Sequence, residues 1–132
     1  MLINYIENHI RNYYNKKNPQ KMVKGLYPLT NKIRDKIYKS ENYKVNSLLE
    51  FLKETNSVLY IENTPVHTII DLGIVLRTYR IKKSITKLKI LTESGISINT
   101  VDKIESGKNH MKNTLNKYLE LFPQLEYRIV TL

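Results

Sequence analysis

Residues 84–108 read SITKLKILTESGISINTVDKIESGK, and this stretch decides the fold. Apolar residues recur at helical spacing on both sides of Gly95. Glycine suits the left-handed residue that ends a helix, and Ser97 is a good N-cap for the next one. The stretch therefore predicts two short helices joined by a tight turn, the first from Thr86 to Ser94 and the second from Ile98 to Ser106, which Gly107 closes.

Two further helices flank this pair. The segment from Asp71 to Lys82 places apolar side chains at i, i+4 and i+7, which predicts an amphipathic helix. The segment from Lys112 to Leu121 predicts a fourth helix. The side chains expected to face inward in the helices of this half are Leu72, Leu76, Tyr79, Ile90, Leu91, Leu115, Tyr118, Leu119 and Phe122.

The hydrophobic period changes after Pro123. Leu125, Tyr127 and Ile129 alternate with Glu126 and its neighbours, which is typical of a half-buried strand. The second half of the chain, residues 67–132, is thus predicted to be four helices followed by one strand.

The same outline recurs upstream. Asp35-Lys36-Ile37 aligns with Asp102-Lys103-Ile104, and the register then holds without a gap for the next 24 residues. Further matches are Asn42 with Asn109, Asn46 with Asn113, Leu48 with Leu115, Leu52 with Leu119 and Tyr60 with Tyr127, and Arg11-Asn12-Tyr13 matches Arg77-Thr78-Tyr79 one residue out of that register. We interpret the chain as an internal duplication.

The first half, residues 1–64, should also end in a strand, Ser57 to Glu62, before a break at Asn63-Thr64-Pro65. A single strand is not stable alone, and two strands in one chain can pair. The predicted fold is mostly α, with two tandem four-helix units whose strands form a small antiparallel ribbon.

Composition limits the function. Each half carries 11 Lys or Arg against 6 Asp or Glu, so the net charge of +10 is evenly distributed and favours a polyanionic partner. The chain lacks cysteine, an apolar run of membrane length and a secretory leader. We therefore expect a globular, cytoplasmic protein that does not enter a membrane.

The second half, over residues 72–122, resembles the Cro/cI-type helix-turn-helix family, also called the xenobiotic-response-element family. The motif comprises Ile85-Thr86-Lys87, Gly95 to Val101 and Lys103 to Lys108. The strand that follows resembles the HipB-like antitoxins, whose equivalent strands pair between two subunits, so the resemblance implies a single-chain pseudo-dimer. Two departures are Leu91, where the family has a small residue, and Pro28, which stands against the turn glycine Gly95.

The family geometry assigns contacts to double-stranded DNA, because its third helix lies in the major groove. Asn99 suits an adenine edge, Lys103 suits guanine and Ile98 suits a thymine methyl. The expected base-contacting residues are Ile98, Asn99, Asp102 and Lys103 in the second half, and Asn31, Lys32 and Lys36 in the first half. The two sets differ, so the preferred site should be an imperfect palindrome.

Phosphate contacts are expected at the helix starts and on nearby basic residues. By position in the family motif, these residues are Arg80, Thr86, Lys87, Ser97 and Lys108 in the second half, with Gln20, Lys21 and Lys39 in the first half. Glu105 is interpreted as structural, a carboxylate that pairs with a neighbouring basic group.

No motif in the sequence predicts catalysis, a cofactor or a metal site; His9, His67 and His110 lack ligand spacing. The leading hypothesis is a sequence-specific transcriptional regulator, most simply a repressor. The alternatives are an antitoxin-like module that holds a protein partner such as a toxin and regulates its own operon, and an interaction factor that has lost DNA binding. The sequence leaves open whether the chain acts as a monomeric pseudo-dimer or a homodimer.

Overall fold

The computed structural model describes residues 1–16, 31–39 and 41–132. Within these ranges the chain forms seven helices and one three-stranded antiparallel sheet. The elements are α1 (Leu2–Lys16), α2 (Asn31–Tyr38), α3 (Asn46–Glu54), β1 (Ser57–Ile61), β2 (Thr64–Val66), α4 (Ile69–Lys82), α5 (Lys87–Ser94), α6 (Ile98–Glu105), α7 (Lys112–Leu119) and β3 (Tyr127–Thr131). The mostly helical prediction is confirmed at this level.

The helices of the second half begin and end where local chemistry favours it. Thr68 and Asp71 form a capping box at the start of α4, and Ser97 caps α6 by accepting from Thr100 N–H. Gly95 ends α5 in the left-handed conformation, with φ of 76°. The four predicted helices of this half are confirmed, with ends shifted by up to two residues.

In the first half, α2 occupies the positions that align with α6 of the second half. The helix expected before it lies outside the described residues. Among the helices in the described part of the chain, none combines the length and apolar character required to span a membrane.

Gly73 lets α4 approach α6 closely. A Cβ atom built on Gly73 would lie 2.7 Å from the carbonyl oxygens of Ile104 and Glu105. This distance is far inside van der Waals contact, so any side chain at residue 73 would force the two helices apart. Gly73 therefore fixes how α6 sits on the domain.

The core is built from the predicted helix faces. Eight of the nine side chains expected to face inward in the second half are buried. The exception is Leu91, which is 37 % exposed. The expectation that Leu91 is buried was wrong, because Ile90 beside it fills the interior position and Leu91 turns toward solvent.

The predicted pairing of the two strands is confirmed. β1 pairs antiparallel with β3, with Ser57 opposite Thr131 and Ile61 opposite Tyr127. The ribbon has a third strand, however, because the expected break at Asn63-Thr64-Pro65 is a hairpin that leads into β2. Glu62 and Asn63 both have positive φ, 49° and 63°, as a two-residue hairpin turn requires. The turn contains no glycine, so the sequence did not identify it as a hairpin.

The two halves meet through reciprocal backbone hydrogen bonds. Val45 N–H donates to His110 O at 2.9 Å, and Lys112 N–H donates to Tyr43 O at 2.7 Å. Tyr43 aligns with His110 and Val45 aligns with Lys112 in the internal alignment. Lys44 forms a β-bridge with its own aligned residue, Met111. Such reciprocity is characteristic of a twofold axis between equivalent surfaces.

Side-chain caps follow the same symmetry. Asn109 Oδ1 accepts from Asn46 N–H at 3.1 Å, and Asn42 Oδ1 accepts from Asn113 N–H at 3.0 Å. Each asparagine thus caps the start of a helix in the opposite half. Aligned residues have the same role in the two halves: Asn42 and Asn109 supply the capping oxygens, and Asn46 and Asn113 supply the N–H groups.

A buried ion pair crosses the junction without a symmetric counterpart. Lys112 Nζ lies 3.3 Å from Glu7 Oε2, and both side chains are at least 95 % buried. Tyr43 Oη donates to the same carboxylate oxygen at 2.7 Å. Burial and the neighbouring Glu7 charge raise the pKa of Tyr43 far above its ordinary value, so this phenol stays a donor.

Replacing either capping asparagine should weaken the junction. Asn42→Ala should lower the free energy of unfolding by about 1 kcal/mol, the usual value of a helix cap. Asn109→Ala should cost at least as much, because Asn109 Oδ1 also accepts from His110 N–H. Urea denaturation followed by circular dichroism measures both changes. Asn4→Ala, at an exposed position of α1, is the control and should leave stability unchanged within about 0.5 kcal/mol. A control-like result for both asparagines would contradict the capping assignment.

Candidate nucleic-acid interface

The exposed face of α6 carries the residues that the sequence assigned to base contacts. Val101 and Ile104 are fully buried, and they anchor the helix. Ile98, Asn99, Asp102 and Lys103 lie on the opposite, exposed face. Ile98 is 40 % exposed although it is apolar. The helix thus presents an amide, a carboxylate, an ammonium group and a branched apolar side chain to solvent.

A shallow, open depression joins α6 to the loop after it. Asn99, Asp102, Lys103, Ser106 and Lys108 line this depression. Sequence reasoning missed Ser106, although it lies seven residues after Asn99 and three after Lys103, on the same helical face. Its hydroxyl donates to Lys103 O at 3.3 Å.

Two predicted DNA-contacting groups contact each other. Lys87 Nζ, at the start of α5, forms a hydrogen-bonded ion pair with Asp102 Oδ1 on α6. The side chains are 38 % and 51 % exposed, so solvent screens the pair and its net stabilisation is small. The pair holds the ammonium group beside the exposed face of α6.

The other predicted phosphate contacts of the second half lie at helix starts or in the loop after α6. Thr86 caps α5 by accepting from Lys89 N–H, and Ser97 caps α6; both residues are exposed. Lys108 is exposed and its N–H donates to Lys103 O at 3.1 Å. Helix starts offer free N–H groups that suit an anion.

Arg80 requires a correction. It was expected to contact phosphate, but it is only 7 % exposed and its guanidinium is fully engaged within the protein. Nε and Nη2 donate to the two carboxylate oxygens of Glu105 at 2.6 Å and 2.9 Å, and Nη1 donates to Ile85 O at 3.0 Å. Breaking a bidentate buried pair is costly, so Arg80 organises the fold and does not reach a ligand.

The structural interpretation of Glu105 is confirmed. Besides Arg80, its carboxylate accepts from Tyr118 Oη at 2.8 Å, which ties α4, α6 and α7 together. The hydrogen bond to Glu105 raises the pKa of Arg80, and burial followed by the Glu105 charge raises the pKa of Tyr118. Arg80 therefore stays protonated and Tyr118 stays a neutral donor across the physiological range.

His110 supports the Lys108 loop from beneath. Its Nδ1 lies 2.9 Å from Lys108 O, and because a carbonyl only accepts, Nδ1 carries the proton. Nε2 is then an acceptor, and it is buried with no hydrogen-bond partner among the residues that the structure describes. Burial lowers the pKa of His110, with Lys103 as a further contribution in the same direction, so the neutral ring is favoured.

The structure describes fewer of the candidates in the first half. Lys36 is half-buried on α2 and Lys39 is exposed just after it. Asn31 and Lys32 are the first two residues of α2. Gln20 and Lys21 lie outside the described residues.

Among the described residues, no group of histidine and acidic side chains is arranged to hold a metal ion. Comparison with protein-family models, curated proteins and solved structures gives no match for this chain.

Tyr118→Phe should destabilise the protein by about 1 to 2 kcal/mol, because it removes one donor to a buried carboxylate without changing the packing. The sequence supplies a matched control, since Phe51 aligns with Tyr118 and is equally buried. Phe51→Leu tests the loss of ring packing instead. Urea denaturation at pH 7 with and without 0.5 M salt separates the two effects. A Tyr118→Phe protein as stable as wild type would contradict the role of the phenol.

The lowered pKa of His110 predicts a pH dependence of stability. Above the ordinary histidine pKa of about 6.5, the His110 ring is neutral in both the folded and the unfolded chain, so its ionisation does not reduce stability there. Below it the unfolded chain binds the proton more strongly, so the free energy of unfolding should fall between pH 7.5 and pH 5.5. The decrease should disappear in His110→Gln and persist in the control His67→Gln, at an exposed site. Equal pH profiles for wild type and His110→Gln would refute the assignment.

Proposed function

We propose that this protein is a sequence-specific double-stranded DNA-binding regulator, in which α6 enters the major groove. The observation that carries the proposal is the division of α6 into two faces. Val101, Ile104 and Glu105 hold it to the core, while Asn99 and Lys103 project from an open surface. A rigid helix with polar side chains exposed at groove-reading positions is what direct base recognition requires.

The charge around α6 supports the same proposal. Lys87, Lys103 and Lys108 surround a face that has one acidic residue, Asp102, among the residues of the depression. Phosphate competes with Asp102 for Lys87, so the ammonium group can leave its intramolecular partner when DNA arrives. The freed Asp102 carboxylate then faces the groove, where it can accept from a cytosine amino group and repel acceptor-rich edges. Specificity thus comes from attraction and repulsion together.

The reciprocal contacts between the halves support a single-chain pseudo-dimer. Paired readers related by a twofold axis bind palindromic half-sites. In this protein α2 and α6 occupy aligned positions but carry different side chains, so we propose that one chain binds one imperfect palindrome. Occupancy of such a site near a promoter is the simplest route to repression.

Selection from a random duplex library, followed by fluorescence anisotropy of the best duplex, tests the proposal. We expect an imperfect palindrome bound by one chain. Asn99→Ala should weaken binding by about 5- to 100-fold and relax specificity at one position, as loss of a bidentate base contact does. Lys108→Gln should weaken all sequences alike and reduce the log-log salt slope by about one.

Two controls sharpen the test. Asn4→Ala changes an exposed asparagine far in sequence from α6 and should leave the binding curve unchanged. Deleting either half-site should abolish tight binding, whereas tolerance of one deletion would limit reading to the second half. An unenriched library would overturn the proposed function.

A further inference from the structure

The outer face of α4 is apolar and exposed. Ile70, Ile74 and Ile81 are 57 %, 58 % and 56 % exposed. Their spacing of four and seven residues places them in one line along the helix, on the side away from buried Leu72 and Leu76. We name this line, together with Arg77 between them, the isoleucine stripe. Three large apolar side chains in one line are unusual on a free surface and mark an interaction site.

The first half is polar at the positions that match these isoleucines. In the alignment of Arg11 with Arg77, the residues matching Ile70, Ile74 and Ile81 in α1 are Asn4, Asn8 and Asn15. Asn4 and Asn8 are exposed, as their counterparts are. The same face of the same helix is therefore polar in one half and apolar in the other. Buried Ile6 and Ile10 of α1 align with buried Leu72 and Leu76 of α4, so these core positions do not explain that difference.

The charge beside the stripe indicates what covers it. Arg77 lies within the line and Lys82 directly follows Ile81; both are exposed. Asp71, the acidic residue of α4, is committed to the helix cap through the N–H groups of His67 and Thr68. The stripe is thus apolar with a net positive border. Twofold packing of two stripes would bring two Arg77 side chains close together in an apolar contact, which disfavours a second copy of this chain.

We propose that the isoleucine stripe docks an acidic amphipathic helix of another protein. Apolar side chains of that helix would lie along Ile70, Ile74 and Ile81, and its carboxylates would meet Arg77 and Lys82. None of the residues assigned to DNA contacts belongs to the isoleucine stripe, so the docking proposal does not rest on the DNA-binding proposal.

The test uses two synthetic helical peptides with leucine at the same i, i+3 and i+4 positions and either glutamate or lysine elsewhere. Each is titrated into ¹⁵N-labelled full-length protein, and amide shifts are followed by NMR. The glutamate peptide should shift the signals of α4 and bind at least about tenfold more tightly than the lysine peptide. The triple variant Ile70→Asn, Ile74→Asn, Ile81→Asn should lose this binding, and so should the double variant Ile74→Asn, Ile81→Asn, which leaves the packing of Ile70 against Gly107 intact.

Arg77→Gln should weaken binding of the glutamate peptide by about two- to fivefold, the usual effect of losing one exposed charge pair. Equal binding of both peptides, shifts confined to α6, or unchanged binding in the triple variant would each overturn the proposal. So would a wild-type dimer in analytical ultracentrifugation that the triple variant dissociates, since the occupant would then be a second copy. Loss of DNA binding in the separate anisotropy experiment would leave these results unaffected.

Discussion

Pairing of β1 with β3 is the interaction on which the rest of the structure depends. Ser57–Ile61 and Tyr127–Thr131 lie about seventy residues apart in the chain, and each strand alone would expose unpaired backbone groups. Joining them closes the chain on itself and brings Tyr43, Val45, His110 and Lys112 into register. The reciprocal bonds among these residues, and the asparagine caps beside them, lie on the same junction between the two halves.

A second set of contacts gives α6 its rigidity. Gly73 permits close packing against the backbone of Ile104 and Glu105, and Arg80 then reaches Glu105 from the same helix. Tyr118 completes the buried group from α7. Because a half-satisfied buried charge is costly, the three side chains favour one arrangement of the three helices. The exposed face of α6 therefore also has a fixed orientation, and a surface that binds its ligand specifically requires one.

The candidate site was predictable where local rules govern it and unpredictable where partners come from elsewhere in the chain. The resemblance to the helix-turn-helix family assigned Asn99 and Lys103 to the outer face of the third helix, and the structure places both of them on an exposed face of α6. Arg80 illustrates the limit, since a basic residue near a motif is equally compatible with phosphate and with a buried carboxylate. Glu105 lies 25 residues away, so only packing decides between them. Ser106 was missed although its helical position pointed to the same face.

The sequence by itself determined the helices of the second half, their caps, the duplication-like alignment and the existence of two pairing strands. Capping residues and hydrophobic period act within a few residues, so they can be read from a short window. Only the tertiary structure decided the third strand, the commitment of Arg80 to Glu105, the exposure of Leu91 and the isoleucine stripe on α4. These features depend on which surfaces remain after distant segments pack, because burial is a property of the whole fold and not of any window of sequence.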